Sequence, residues 1–280
     1  MKLELTKHHG LGNDFLVLFH PAELGIAEED LPEIARRLCD RRCGIGADGL
    51  LVADSADGYA AQMALYNADG SRAEMSGNGI RCFAQALARR RGNLDPQCIL
   101  TDAGPRLVTL SATGDAGTIH ASVDMGAVGP LDAPEAWGSL GAHPDRPVMH
   151  VSLGNPHSVV GVDDVLAVDL LTLGLKVPLV NLEIVEPGPE PHGITMRVHE
   201  RGAGITEACG TGACASAWAA AAWGLVPAAA PEIVVHMDGG DARVRLNDPA
   251  PGHVTLIGSA VHVATIQVEI LDLASATGVR

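Results

Sequence analysis

A short motif, in which a serine or cysteine is followed by glycine, a polar residue and a second glycine, occurs twice in this chain of 280 residues. It is SGNG at residues 76–79 and CGTG at residues 209–212, and an alanine-rich stretch that predicts a helix follows each copy. A strand-like segment precedes each copy, so the two halves repeat one strand–turn–helix unit. We interpret the repeat as a duplicated half-site that faces itself across a cleft.

Short segments of alternating apolar and polar residues, bounded by Gly, Pro, Asn and Asp, fill much of the rest of the chain. Helical periodicity is confined to a few longer stretches. Many strands with few helices, and no regular alternation of the two, favour an α+β architecture over a doubly wound sheet. The predicted strands lie at 15–19, 50–54, 61–67, 107–112, 119–126 and 148–154, with more after residue 195, and the predicted helices at 27–42, 79–90, 162–175 and 212–222.

Charge and hydropathy exclude several classes of partner. The formal net charge of −15 argues against nucleic acid and anionic membranes, because both require clustered cations. The basic run at residues 89–91 is interpreted as the charged end of a helix. The uncharged stretch at 213–230 is barely long enough to span a membrane, and its alanine bias, with Gly224 and Pro227, favours a short helix buried in a soluble core.

The six cysteines and the first residues of the chain bear on its compartment and on metal binding. The opening MKLELTKHHG contains no apolar signal segment, which predicts a reduced, cytoplasmic protein. Cys39 and Cys43 have no second Cys or His pair at ligand spacing, so we expect no metal. Glycine-rich nucleotide-binding motifs are missing as well, and we expect no cofactor.

The two motifs place a nucleophilic side chain immediately before a helix. Unpaired N–H groups and the positive end of the helix dipole stabilise an anion there. We therefore predict that the pKa of Cys209 is lowered toward neutral and that the same amides bind a substrate carboxylate. The alternative is that Cys209 is simply a small buried residue, as free cysteines often are. Cys214 is predicted to pack in the core, and Cys82 is predicted to be a helix residue rather than a base.

Several polar residues beside turns fit a small zwitterionic ligand. An asparagine amide can serve both an ammonium and a carboxylate group, although a single such asparagine is more often a turn former. Arg201 follows Glu200 on the approach to the second motif, and its guanidinium suits a substrate carboxylate. The asparagines are Asn13, Asn67, Asn155 and Asn181.

Seven phrases in order give the chain a family resemblance. They are HGLGNDF, RRCGIGADG, YNADGS, SGNGIRCFA, GNPHSVV, VN and ERGAGITEACGTGACA, and they cover nearly the whole chain. The chain resembles the diaminopimelate epimerases. The resemblance implies two pseudo-symmetric domains, each a mostly antiparallel, barrel-like sheet around a central helix, with the site in the cleft between them. The expected domains are residues 1–118 with 259–280, and residues 119–258.

The resemblance also implies a reaction and roles for residues. Such enzymes interconvert LL- and meso-diaminopimelate without pyridoxal phosphate or metal, in lysine and cell-wall precursor biosynthesis, and are often homodimers. Two cysteines on opposite faces of the α-carbon exchange its proton. By position, the catalytic residues are Cys209, His157, Glu200 and Ser76, which stands where a cysteine is expected. The substrate-binding residues are Asn13, Asn67, Gly77, Asn78, Asn155, Asn181, Glu200, Arg201, Gly210 and Thr211.

Three positions depart from the family pattern: Ser76, Ile205 where glutamate is usual, and Gly49 where some members have glutamine. A serine hydroxyl is a much poorer base than a thiolate, and no histidine adjoins Ser76 in sequence. Three explanations are open. The chain is an engineered cysteine-to-serine variant, a natural family member that works with a Ser/Cys pair, or an enzyme that catalyses another reaction. That third explanation covers an epimerase, racemase or dehydratase for another amino acid with Cys209 as its single base. An inactive amino-acid binder is the alternative from outside the enzymes.

Overall fold

The computed structural model describes residues 2–141, 143–227 and 229–269. Four α-helices lie in these ranges: α1 (Leu31–Cys39), α2 (Gly77–Arg91), α3 (Leu170–Lys176) and α4 (Gly210–Trp223). Single 3₁₀ turns lie at Pro21–Leu24, Glu28–Asp30 and Trp137–Leu140. The strands are β1 (Lys2–Gly10), β2 (Asn13–Phe19), β3 (Gly49–Asp54), β4 (Ala61–Asn67), β5 (Arg72–Ala73), β6 (Gln97–Thr101), β7 (Gly104–Ala112), β8 (Thr118–Ala127), β9 (Gly129–Pro130), β10 (Val148–Ser152), β11 (Pro156–Gly161), β12 (Asn181–Pro187), β13 (Gly193–Glu200), β14 (Gly204–Thr206), β15 (Ile233–Met237), β16 (Gly240–Leu246) and β17 (His253–Glu269).

Strand pairing closes two rings that repeat one plan. The first ring runs β1, β2, β3, β4, β6, β7, β8, β17 and back to β1. The second runs β10, β11, β12, β13, β15, β16 and β17, then through β8 and its continuation β9 back to β10. Each ring has two parallel pairs, β2–β3 and β4–β6 in the first and β11–β12 and β13–β15 in the second. The α+β prediction with barrel-like sheets is confirmed.

A helix occupies the inside of each ring. In α2 every residue from Gly77 to Ala88 is buried, and in α4 almost every residue from Gly210 to Ala220 is buried. A helix surrounded by sheet needs apolar or small residues on all sides rather than one stripe, which explains the alanine runs. Alanine and glycine also keep each helix narrow enough to fit inside its ring.

Strands β8 and β17 belong to both rings, and this bears on the domain division. Residues 253–261 of β17 pair with β8, while residues 261–269 pair with β1. The division into residues 1–118 with 259–280, and residues 119–258, stays a prediction; the change of partner near residue 261 is compatible with it. Residues 270–280 lie outside the described residues.

The predicted helix at 162–175 is wrong over its first eight residues, since α3 begins at Leu170. The Asp164 carboxylate accepts a hydrogen bond from the Leu166 N–H at 2.8 Å, and the Val165 N–H donates to Glu186 at 2.7 Å. These bonds hold residues 163–167 in a turn, because aspartate competes for backbone N–H groups that a helix would use.

The other predicted helices differ from the observed ones at their ends. The helix predicted at 27–42 is shorter, because a 3₁₀ turn precedes α1 and the Asp40 carboxylate accepts from the Arg42 and Cys43 N–H groups. Helices α2 and α4 each begin two residues before the predicted start. Glycine disfavours the helix, so the sequence pattern places the start after the glycines of the motif.

Candidate active site

The repeated sequence motif is a repeated structure. Ser76 and Cys209 both have extended backbones and cap the helix that follows. Ser76 Oγ accepts a hydrogen bond from the Gly79 N–H at 3.0 Å, and Cys209 Sγ accepts one from the Gly212 N–H at 3.4 Å. The two side chains therefore hold equivalent places at the starts of α2 and α4.

The two helix starts touch through their first glycines. A Cβ added to Gly77 would lie 2.9 Å from Gly210 Cα, and one added to Gly210 would lie 2.8 Å from Gly77 Cα. Neither contact leaves room for a side chain. Since both helices begin here, their free N–H groups and positive dipole ends converge on one region, which favours an anionic ligand.

Replacing Gly77 by alanine is expected to destabilise the fold by about 1–3 kcal/mol, a typical cost of forcing a methyl group into a packed site. The clash with Gly210 backbone cannot be relieved by a side-chain rotation. Urea unfolding measures the effect. Gly114→Ala is the matched control, because a Cβ there meets nothing within 4 Å. Equal stability of both variants would contradict the close contact of the helices.

A cavity of about 1080 Å³ opens in front of the helix starts. It brings together residues from both halves of the chain that are far apart in sequence. Of the predicted site residues, its wall contains Asn13, Asn67, Ser76, Asn155, Asn181, Glu200 and Arg201.

The remaining predicted residues lie one layer deeper. Asn78 donates to Asn13 Oδ1 at 3.2 Å and to the carbonyl of Ala208 at 3.0 Å, so it links the two motifs. Gly77 and Gly210 form the helix contact described above. Asn155 in the cavity wall contacts Thr211 and His157, and Thr211 contacts Cys209.

The surroundings of Cys209 overturn one prediction. Burial raises the pKa of this thiol, and the nearby carboxylates of Glu200 and Glu183 raise it further. Hydrogen bonds from Thr211 and Gly212 lower it by less. The predicted lowering of the Cys209 pKa is therefore wrong: the helix N-terminus favours a thiolate, but loss of water and two neighbouring anions outweigh it. Cys209 rests as a neutral thiol.

Glu200 is the first of the two carboxyl groups that act on this thiol. Burial raises its pKa, while hydrogen bonds with Thr206 and Cys209 lower it. Glu200 and Cys209 therefore compete for one proton.

Behind Asn155 a chain of polar side chains leads to Cys209. The His157 ring contacts Asn155 Oδ1 through Nε2 at 3.0 Å and Glu183 through Nδ1 at 2.6 Å. The Asn155 amide donates to Thr211 Oγ1 at 3.2 Å, and that oxygen lies 3.5 Å from Cys209 Sγ. His157 thus acts on Cys209 through intermediates rather than by direct contact.

Sequence reasoning missed Glu183. It follows Asn181 by two residues in β12, and residues two apart in a strand point to the same side of the sheet. A carboxylate at that spacing inside an apolar strand is the signal that could have found it. A Cβ added to Gly212 would lie 2.8 Å from Glu183 Oε1, so the last glycine of the motif lets this carboxyl approach α4.

A second missed group braces the cavity edge. Arg41 forms ion pairs with Asp14 at 2.6 Å and with Asp48 at 2.7 Å, and Lys7 pairs with Asp14 at 2.8 Å. Burial raises the pKa of Asp14, but hydrogen bonds from Arg41 and Lys7 lower it overall. Asp48 also accepts from the Asn13 amide at 2.7 Å, so the network fixes Asn13 in the wall.

The other cysteines of the two helices differ from Cys209 in their contacts. Burial raises the pKa of Cys82 and of Cys214 to about 12 each. Both are fully buried in the apolar core, which confirms the prediction for Cys214, and Cys82 lies in α2 as predicted.

Ser76 has few partners. Within the described ranges the hydrogen bond with the Gly79 N–H is the single one formed by its hydroxyl. No cluster of three or more His, Cys, Asp or Glu side chains that could hold a metal ion occurs in the part of the chain that the structure describes. Among the same residues, no helix has both the length and the apolar character needed to cross a membrane.

Comparison with known proteins decides the family. The family model described as diaminopimelate epimerase matches residues 5–129 and 149–263. The chain belongs to the diaminopimelate epimerase family. A diaminopimelate epimerase from Desulfitobacterium hafniense is 39% identical over 93% of this chain and 96% of its own length. One from Synechococcus elongatus is also 39% identical, over 96% of this chain and 99% of its own.

Solved structures share the fold of this diaminopimelate epimerase family member at low sequence identity. A phenazine biosynthesis protein of the PhzF family from Bacillus anthracis matches with a TM-score of 0.75 and 16% identity, over 96% of this chain and 100% of that one. A hydroxyproline epimerase from Agrobacterium vitis, with trans-4-hydroxy-L-proline bound, matches with a TM-score of 0.71 and 15% identity. The match covers 97% of this chain and 94% of that one. These likenesses concern the fold alone.

Proposed function

We propose that this chain interconverts LL- and meso-diaminopimelate by moving the proton of one α-carbon. The observation that carries the proposal is the meeting of two equivalent helix starts, capped by Ser76 and Cys209, behind a cavity whose wall includes Ser76. The names of its close relatives support the substrate. No metal or cofactor enters the proposed reaction.

The helix starts bind the reacting carboxylate. The α-proton of an amino acid is a very weak acid, so the carbanion needs strong electrostatic stabilisation in a site without water. Free N–H groups at the starts of α2 and α4, from Gly77, Asn78, Gly210 and Thr211, supply it. They are fixed before the substrate arrives and do not have to reorganise.

Cys209 is the proposed acid–base group on one face of the α-carbon. Because it rests as a thiol, it must first lose its proton to remove one from the substrate. Glu200 is hydrogen-bonded to it and is the proposed acceptor of that proton. In the opposite direction the neutral thiol donates directly to the carbanion.

Ser76 is the proposed group on the other face. A hydroxyl is a far weaker acid and base than a thiol at neutral pH. The proton at this face therefore moves slowly, directly or through a water in the cavity that Ser76 lines. Inversion is expected to be slower than it would be with two cysteines.

The far end of the cavity suits a substrate with a second amino-acid end. Arg201 is half exposed, and its nearest acidic partner, Glu74, is 3.6 Å away and itself exposed. Its guanidinium can exchange this weak surface pair for the distal carboxylate of diaminopimelate. Asn67 and Asn181 line the same wall and complete the proposed distal site.

The experiment is incubation with LL-diaminopimelate and with the meso form separately, followed by chiral chromatography. Both are expected to reach the same mixture of isomers. Lysine, which lacks the distal carboxylate, and proline, which lacks a distal end, are expected to show no inversion. Inversion of proline, or no binding of either diaminopimelate isomer, would contradict the substrate assignment.

Two further features of the proposal concern the enzyme in the cell. The six cysteines are all free, which fits a reducing cytoplasm. A homodimer stays a prediction from the family resemblance; size-exclusion chromatography with light scattering measures it.

A further inference from the structure

The Glu183 carboxyl is the most deeply buried acidic group of the site, and the proposed reaction does not use it. The side chain is fully buried. Its Oε1 lies 2.6 Å from His157 Nδ1, and its Oε2 has no hydrogen-bond partner among the described residues. An acidic group in such a dry place is costly unless it holds a proton or faces a cation.

The hydrogen bonds around His157 have a direction. Asn155 presents its oxygen to His157 Nε2 and its amide to Thr211. An oxygen only accepts, so Nε2 must carry a proton. The Thr211 oxygen accepts from Asn155, which leaves its own hydrogen free to point at Cys209 Sγ, 3.5 Å away.

This direction requires one proton held between Glu183 and His157. With that proton, either a neutral carboxyl donates to Nδ1 or an imidazolium faces a carboxylate, and Nε2–H is present in both cases. Without it, the carboxylate takes the proton on Nδ1 and Nε2 becomes an acceptor. Asn155 then turns its amide to Nε2 and its oxygen to Thr211, and the Thr211 hydroxyl donates to Asn155 instead of Cys209.

We infer that Glu183 is a positioning residue: the proton it shares with His157 sets the direction of the hydrogen-bond chain that aims the Thr211 hydroxyl at the Cys209 sulfur. The consequence is a second donor, beside the Gly212 N–H, for the thiolate that forms during turnover. The inference rests on the proposed function, in which Cys209 is the acid–base thiol.

Other charged groups act on Cys209 and Glu183, and the variants that are compared must leave those groups unchanged. Glu200 of β13 and Glu183 of β12 both act on Cys209 electrostatically, and His157 of β11 acts on both carboxyl groups. Asp48 acts on Glu200 from the first ring. A test that compares neutral replacements of Glu183 with one another leaves all the other groups unchanged.

The experiment compares Glu183→Gln with Glu183→Leu and Glu183→Met. A glutamine amide donates to His157 Nδ1 as a protonated carboxyl does, so the direction of the chain is kept. Leucine and methionine cannot form the hydrogen bond to His157 Nδ1, so the direction of the chain is no longer fixed. The readout is the rate at which iodoacetamide alkylates Cys209 at pH 7.5. Tandem mass spectrometry follows it, because Cys209 and Cys214 lie on one peptide and only fragment ions separate them.

The rate for Glu183→Gln is expected to stay close to that of the parent, and that of the leucine and methionine variants to be about tenfold lower, the effect of about one hydrogen bond to a charged sulfur. The same comparison in a Thr211→Val background is expected to show no difference, because the last donor is gone. Thr211→Ser keeps the hydroxyl and is expected to keep the difference.

Two results would overturn the inference. One is equal rates for all neutral replacements of Glu183, which is what loss of charge alone predicts. The other is a difference in rate between Glu183→Gln and the apolar variants that persists with Thr211→Val. Such a difference would come from altered access of iodoacetamide to Cys209. If neither apolar variant folds, two other results overturn the inference. One is a tenfold lower alkylation rate in Glu183→Gln, and the other is equal alkylation rates for Thr211→Val and Thr211→Ser. Alkylation requires no substrate, so failure of diaminopimelate to turn over is distinguishable from failure of this inference.

Discussion

Replacement of Cys209 by alanine is expected to reduce proton exchange at the substrate α-carbon by about 10²- to 10⁴-fold, the usual contribution of a positioned acid–base group. The reason is that the opposite face offers only a hydroxyl. Once the thiol is removed, neither face has a group that removes the proton efficiently at neutral pH. The measurement is the rate of deuterium incorporation into diaminopimelate, followed by mass spectrometry.

Cys214→Ala is the matched control. Cys214 lies in the same helix, is fully buried and has a raised pKa like Cys209, but it packs in the apolar core. Exchange by this variant is expected to stay close to that of the parent. Loss of exchange in both variants would point to damage to α4 rather than to chemistry at Cys209. Unchanged exchange in Cys209→Ala would remove Cys209 from the reaction.

Replacement of Ser76 by cysteine is expected to raise the rate of inversion by about 10²-fold or more, within the range for general acid–base catalysis. A thiol has a pKa near 8.5 and is a much better base than a hydroxyl at neutral pH. The Gly79 N–H that now donates to Ser76 Oγ would stabilise the thiolate, as the Gly212 N–H does for Cys209. The kcat for inversion should increase while KM changes little, because Ser76 is proposed to act on the α-proton.

Ser71→Cys provides the control for a new thiol in the same cavity. Ser71 lines the wall but lies away from the helix start, where it bonds to Asp69 and Asn67. No gain in inversion is expected from it. Equal kcat for Ser76→Cys and the parent would contradict the role given to position 76.

Much of the fold could be predicted from the sequence because its signals are local. Alternating apolar and polar residues define a strand with one buried face, and the alanine runs after both motifs define helices that are buried on all sides. The repeat itself predicted that Ser76 and Cys209 hold equivalent places. The helix predicted from residue 162 failed, because the hydrogen bonds of Asp164 and Glu186 depend on tertiary contacts.

The environment of the site could not be predicted in the same way. The pKa of Cys209 depends on how deeply it is buried and on carboxylates from β12 and β13, which only the folded chain brings near it. Glu183 was missed for a similar reason, since an acidic residue in a strand such as NLEIVEP is most simply interpreted as facing solvent. Burial and the distance to His157 are what give it a role.

The proposed reaction takes place in a site with one thiol face and one hydroxyl face. The most direct measurement is incubation of the parent chain with LL- and meso-diaminopimelate in D₂O, with deuterium content and chirality followed in the first turnovers. We predict that the isomer whose α-proton faces Cys209 gains deuterium faster than it inverts, since the thiol exchanges with solvent while Ser76 is slow. Exchange that equals inversion for both isomers would contradict the account, because it would mean that both faces deliver protons equally well.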